Sequence, residues 1–254
     1  MRVARGVVFC LLLTLCCGRV FAGEAIILAT GEWPPFVSSS MVGQGFATEI
    51  VVAAARVAGY EPAIEIVPWA RAEHLAKEGL VTGTFVWAKN DERSQFFLFT
   101  EPFSYTREKI FYLKKRFPQL TYAGLTSLRG YTFGGTISYG HVAILERAGL
   151  EVEVAQSDEI NLRKLEAERF DFFAMDEIAA WHAIANLFPG REHEFGCLEE
   201  ESLQAPMGLM VSKSRPNVAE FITRFNQGLE SIRSTGVYDE ILSRHKIPRQ
   251  SQQH

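Results

Sequence analysis

The chain predicts an α/β fold of two successive units. Short apolar segments alternate with helical ones, and each half carries its own glycine-marked turns. There is no fixed-period repeat and no low-complexity linker to suggest a solenoid or a disordered join. Strands alternating with helices further predict largely parallel sheets.

The elements follow in order. Residues 25–30 are an apolar strand stopped by Gly31. Residues 46–58 are rich in alanine and valine, with Thr48 and Glu49 near the start and Gly59 after the end, as in a buried helix. Residues 62–67 alternate as a strand, and residues 70–77 form a short helix ended by Gly79. Residues 84–87 are the next strand, followed by a polar turn ending in Asp91-Glu92-Arg93 and an aromatic run with Pro102. Residues 109–113 and 131–135 are strands, and residues 139–148 a helix. Residues 151–155 alternate again, and Ser157 with Asp158 and Glu159 caps a helix carrying Ile160, Leu162 and Leu165. Residues 172–174 and 207–212 are strands, with a helix over 178–187 between them. A long amphipathic helix starts at Pro216 with Val218, Phe221, Ile222, Phe225 and Leu229 on one side, and residues 237–245 form the last helix.

The first 22 residues read as a secretory signal peptide. Arg2 and Arg5 precede an apolar run from Val7 to Cys17, and Val20-Phe21-Ala22 suits cleavage before Gly23. A lipoprotein reading through Cys16 or Cys17 meets Leu15 and Cys16 where small residues are preferred. Without residues 1–22 the chain has 23 basic and 30 acidic residues, a formal charge of −7. That sign, and the lack of a basic stripe, argue against nucleic acid. Cys197 alone remains, so no internal disulfide is expected and the core must stabilise the fold. No later segment approaches the roughly 20 apolar residues of a membrane helix.

In α/β folds ligands bind beyond the carboxyl ends of strands, so chemistry is sought there. Arg93 follows the strand at 84–87, where a guanidinium can grip a carboxylate with two parallel hydrogen bonds. The alternative is an ion pair with its acidic neighbours Asp91 and Glu92. Trp33 lies in a loop stiffened by Pro34 and Pro35, placed to cover a ligand or to plug the core edge. Trp69 and Trp87, at the next two strand ends, complete an apolar wall or belong to the core, with core the better reading for Trp87. Gly134 to Gly140, including Ser138 and Tyr139, joins a strand to a helix, where backbone N–H groups receive a carboxylate or the glycines simply serve the turn. Asp176 either N-caps the next helix or offers its carboxylate to a ligand ammonium, and both roles can coexist.

Enzyme signatures are poor. Neither Gly-x-Ser-x-Gly nor His-Glu-x-x-His occurs, and the six histidines are scattered. His193 and Cys197 are four apart in a charged loop without two further metal ligands, and Glu199-Glu200-Glu201 reads as solvated loop. No metal or cofactor is implied.

These segments together resemble the bacterial extracellular solute-binding proteins of family 3, the periplasmic polar-amino-acid-binding components of ABC transporters. The likeness covers essentially the whole mature chain. Glu32-Trp33-Pro34-Pro35-Phe36 is similar to the family's aromatic-x-Pro-Phe loop, and Gly45-Phe46-Ala47-Thr48-Glu49-Ile50 to its Gly-Phe-x-x-Asp-Leu helix start. Asn90-Asp91-Glu92-Arg93 with Phe99-Thr100-Glu101-Pro102-Phe103 resembles its Thr-x-x-Arg and Phe-Ser-x-Pro-Tyr pair. Leu128-Arg129-Gly130, the glycine turn, and Phe170-Asp171-Phe172-Phe173-Ala174-Met175-Asp176 match its second lobe. Gly236-Val237-Tyr238-Asp239-Glu240-Ile241-Leu242 matches its closing helix.

The resemblance implies a two-lobed periplasmic-binding-protein-like (type II) fold, with lobes of about 23–104 plus 206–254 and about 105–205 closing on a ligand. It implies that Arg93 holds a ligand α-carboxylate, Asp176 its α-ammonium, and Trp33 covers the side chain. It also implies a periplasmic, non-catalytic protein serving an ABC permease in the inner membrane, with monomer the default oligomeric state. Two alternatives are an enzyme of the cyclohexadienyl dehydratase kind, using Asp176 or Glu177 as general acid, and a sensory module presenting ligand to a receptor. The chain departs from the family at Thr82, where aspartate is usual, and at Trp87-Ala88-Lys89-Asn90, where small hydroxyl residues are usual. The pocket becomes more aromatic, and Arg71 adds a cation near it. An aromatic or acidic amino acid, or a related small carboxylate, then joins the candidate ligands.

Overall fold

The computed structural model of the chain describes residues 23–137 and 139–252, with the backbone alone at 200–203 and 250. The expected signal peptide and Ser138 lie outside the described residues. The strands are β1 (Glu24–Thr30), β2 (Tyr60–Ile66), β3 (Gly83–Ala88), β4 (Phe97–Phe99), β5 (Ser104–Leu113), β6 (Thr132–Thr136), β7 (Glu151–Ala155), β8 (Phe172–Asp176) and β9 (Phe195–Ser212). The helices are α1 (Phe46–Val57), α2 (Trp69–Lys77), α3 (Asp91–Phe96), α4 (Gly140–Arg147), α5 (Asp158–Glu166), α6 (Glu177–Leu187), α7 (Val218–Ser234) and α8 (Val237–Arg244).

The strands of the described residues form one sheet in the order β2-β1-β3-β9-β5-β8-β6-β7, with β4 also on β9. The sheet is mixed rather than largely parallel. β1 is parallel to β2 and β3, and β6 is parallel to β7 and β8. β5 and β9 run antiparallel to each other and to their other neighbours. These two strands carry the chain from one half to the other and back, which fixes their opposite directions.

Both crossing strands are longer than the sequence pattern suggests. β5 starts at Ser104 instead of residue 109, and β9 at Phe195 instead of residue 207. The extra residues include Arg107 and Glu108, and the Glu199-Glu200-Glu201 run that reads as loop in the sequence. Arg107 and Glu199 each pair along the crossing, without an apolar alternation to betray them. The pairing also breaks there: Arg107 faces Gln204 while Lys109 faces Glu199. Residues 200–203 of β9 therefore stand against Glu108 alone. The turn at Asp91-Glu92-Arg93 is the short helix α3, capped by Asn90, whose Oδ1 accepts from Arg93 N at 2.8 Å.

The C-terminal helices return to the first half. Phe221, Phe225, Leu229 and Ile232 give α7 a buried stripe, packed against Ala54 and its neighbours on α1. Gly228 permits the approach, because a Cβ there would lie 2.2 Å from the Ala54 carbonyl oxygen. Arg233 Nη2 donates to Pro102 O at 2.6 Å, and Tyr238 Oη to Phe103 O at 2.9 Å. The Gln252 side chain bonds both to Tyr105 N (3.1 Å) and to Tyr105 O (3.2 Å). Ile110, Leu128, Phe133, Leu145, Phe172 and Ala174 form a separate cluster in the second half, while Phe111, Phe173 and Ile184 there belong to the larger core shared with the first half. Among the described residues no helix is long and apolar enough to cross a membrane.

Gly228→Ala is expected to force α7 off α1 and cost about 1–3 kcal/mol in urea unfolding. A change under half a kcal/mol would mean the helices are not held at this distance.

Candidate functional site

The first group of candidate residues is organised by an irregularity in β3. Thr84 and Trp87 are three apart and would point to opposite faces of a regular strand. The register against β9 slips between Phe85 and Trp87, and Val86 takes a φ of 64°. The bulge turns Trp87 to the side of Thr84, and its Nε1 donates to Thr84 Oγ1 at 2.8 Å. A β-branched residue in this region is strained by roughly 1–2 kcal/mol, which pairing and burial on both sides must offset.

Trp69 opens α2 and meets Trp87 edge-on, with ring centroids 5.2 Å apart. The end of β1 makes room for it: a Cβ on Gly31 would fall 2.2 Å from the Trp69 ring. The Arg93 guanidinium lies over the Trp87 ring at 4.4 Å. Its Nη1 donates to Ala88 O at 3.2 Å, and its Nε faces Glu73 Oε1 of α2 at 3.3 Å. The acid beside Arg93 is thus Glu73, not its neighbours Asp91 and Glu92. Two of the five guanidinium N–H donors are used in this way. Arg71 is exposed on the same helix.

Trp33 is held by paired backbone bonds with Val37, at 2.8 and 3.0 Å, and stacks on Phe36 with ring centroids 4.3 Å apart. Its Nε1 is buried without a hydrogen-bond partner. Thr82, at the position of departure from the family, is buried and meets Ile27 N with its Oγ1 at 3.4 Å.

The second group gathers at the carboxyl ends of β6 and β8. All five residues of β8 are buried, so its last residue carries a carboxylate into the interior. Asp176 Oδ1 accepts from Ile178 N and Ala179 N, both at 3.0 Å, as the N-cap of α6. Its Oδ2 accepts from Arg107 N at 2.9 Å. Burial nevertheless wins over these donors and raises the Asp176 carboxyl to about 7. Beside it, Asp158 accepts from Thr136 Oγ1 at 2.5 Å and Tyr139 Oη at 3.1 Å. Burial raises the Asp158 carboxyl, and burial with the Asp158 charge drives the Tyr139 phenol well above its ordinary value. Glu108 is the direct cross-strand partner of Asp176, and His141 Nδ1 lies 2.6 Å from Glu108 Oε2. Glu177 is engaged by Lys109 at 2.8 Å.

The structure thus brings Trp69, Trp87 and Arg93 together on one side of the β5–β9 crossing, and Tyr139 and Asp176 on the other. Four further residues stand with them: Glu73, Glu108, His141 and Asp158. Glu73 was legible in principle, since it is four residues after Trp69 and so on the same helical face. Glu108 and Asp176 are far apart in sequence and meet only through strand pairing. Among the described residues no group of three or more His, Cys, Asp or Glu is placed to hold a metal ion.

A sheet of this order, with polar residues at strand ends on both sides of an antiparallel crossing, defines the class of two-lobed α/β binding folds. Residues 26–246 match the model of the bacterial extracellular solute-binding proteins, family 3, and the chain belongs to that family. Its fold is similar to a histidine kinase sensor domain with similarity to periplasmic binding proteins (TM-score 0.73, 22% identity, covering 88% of this chain and 96% of that one). It is similar to the GluR0 ligand-binding core from Nostoc punctiforme in complex with L-glutamate (TM-score 0.71, 18% identity, 86% and 98% covered). It is also similar to an ancestral arginine-binding protein bound to arginine (TM-score 0.70, 20% identity, 88% and 98% covered). No curated protein matches the chain.

The Asp176 carboxyl gives a pH signature. Unfolded, it titrates near 3.9; folded, it holds its proton to about 7. Its contribution to stability is fully present below about pH 4 and is lost as pH rises through 7. The ligand-free protein should therefore lose melting temperature between pH 5 and pH 8. Asp176→Asn should flatten that slope, whatever it costs in absolute stability. An unchanged slope in the variant would place the titrating group elsewhere.

Proposed function

We propose that the protein captures a small amino-acid-like solute between two lobes in the periplasm and delivers it to an ABC permease in the inner membrane. The lobes are about residues 23–104 with 206–254, and about 105–205, turning about the break in β5–β9 pairing. The observation that carries this reading is the placement of opposite charges: Arg93 follows β3 on one side of the crossing, and Asp176 ends β8 on the other. A solute with both a carboxylate and an ammonium ties the two sides together, while a solute with one charge satisfies only one. Arg93 keeps donors free for a carboxylate, Tyr139 stands at a helix N-terminus suited to the same group, and Ser138, its neighbour in sequence, is assigned to the same contact. Trp33, Trp69 and Trp87 form the aromatic wall against the side chain. The family and the amino-acid-binding neighbours support this substrate class.

The likeness to a kinase sensor domain favours one further reading, in which the loaded protein is presented to a membrane receptor. Pull-down of the ligand-loaded form against permease and receptor membranes separates the two. A dehydratase role would fall to Asp176, because Glu177 is held by Lys109. Turnover of prephenate or arogenate would establish it.

Calorimetry against the common amino acids should find micromolar or tighter binding, about −8 kcal/mol or better, for at least one. Arg93→Ala should then weaken it by roughly 2–5 kcal/mol, chiefly by stranding the ligand carboxylate. Absence of heat with every amino acid would overturn the substrate class.

A further inference from the structure

The carboxylate assigned to the ligand ammonium has a second carboxylate as its direct neighbour. Glu108 on β5 is register-paired with Asp176 on β8. Cross-strand partners share a face, with Cβ atoms about 5 Å apart. Asp176 is 2% exposed and the Glu108 side chain 18%, so neither charge is well solvated. Burial first, and the Glu108 charge in addition, favour the protonated Asp176 carboxyl. His141 stands against Glu108. Its side chain is 1% exposed, and its Nδ1 stands 2.6 Å from Glu108 Oε2, out of line for a hydrogen bond. Its Nε2 is buried with no hydrogen-bond partner. A buried imidazole so poorly satisfied is costly as a packing element alone. It is placed as a counter-charge to Glu108.

We propose that Asp176, Glu108 and His141 form a proton-exchange unit, so that an ammonium-bearing solute binds by expelling one proton from Asp176 to solvent. This rests on the reading that Asp176 receives the solute ammonium. The exchange balances: the neutral Asp176 carboxyl and the ammonium become a carboxylate–ammonium pair, and the proton passes to bulk buffer. No bond within the solute changes. Glu108 and His141 are positioning residues here, since they act through Asp176.

The other charged groups around the unit do not replace it. Arg107 donates its backbone N–H to Asp176, and its side chain has contacts of its own. Tyr139, just before α4, donates to Asp158 on α5, and Asp158 also faces the charges of His141 and Glu108. Glu177 on α6 is neutralised by Lys109 on β5. The unit couples deprotonation to the amine: a solute without a positive charge leaves the Asp176 proton in place.

Carboxyl-13C titration of the ligand-free full chain tests the unit directly. In the wild type Asp176 should titrate near neutrality, and Glu108→Gln should lower its midpoint by about one unit or more. His141→Gln, which removes the counter-charge, should raise the Glu108 midpoint toward that of Asp176. An Asp176 midpoint unmoved by Glu108→Gln, or a Glu108 midpoint unmoved by His141→Gln, overturns the proposal. Wild-type calorimetry with L-arginine and L-glutamate at pH 6, in phosphate and in Tris, should show release of about one proton per bound solute. Binding without buffer dependence overturns the coupling. Absence of binding by either probe while Asp176 titrates as expected counts against the ammonium reading of the site, not against the unit.

Discussion

β5 and β9 pair antiparallel from Ser104↔Met207 to Leu113↔Phe195, and each has a second partner in only one half of the molecule. β9 continues onto β3 and β4, while β5 lies against β8. Every other element is attached to one end of this ribbon. The hydrogen bonds along it hold the two halves in one sheet, and the register break at Glu108 interrupts them at the crossing. The ribbon is thus paired on both sides of a short irregular strip. Asp176 is tied to that strip through Arg107 N, so the second-half carboxylate sits where the ribbon is least regular.

The two sides of the crossing use different physics for opposite charges. Arg93 is kept ionised by its own chemistry, stacked on Trp87 and set against Glu73 near the surface. Asp176 is buried at the end of an all-buried strand, where desolvation outweighs three backbone donors. In the proposed reading, a solute carboxylate has only to share or displace Glu73, while a solute ammonium has to meet a carboxyl that burial disposes to stay protonated.

The sequence made much of this legible. Alternating segments and glycine stops located β1, α1, β3 and β7 closely, because each carries its own local pattern. Ser157 was readable as a cap, and its Oγ accepts from Ile160 N at 3.3 Å. The polar halves of β5 and β9 were not readable, since strand pairing rather than apolar alternation defines them. The sense of the sheet was missed for the same reason. Arg93 and Asp176 were found by position after strands. Their partners Glu73 and Glu108 were not: Glu73 comes from a preceding helix, and Glu108 gains meaning only from its register with Asp176. The bulge at Val86 left no signal, because nothing in Thr84-Phe85-Val86-Trp87 demands a positive φ.

The proposed function requires one solute to bridge Arg93 and Asp176 across the crossing. The most direct measurement is a crystal structure of the exported protein with its co-purified or calorimetrically identified solute. The account predicts a single solute with its carboxylate on the Arg93 guanidinium, its ammonium on Asp176 and an aromatic ring over its side chain. A solute bound elsewhere, with Arg93 still facing Glu73 and Asp176 serving only its backbone donors, would contradict it.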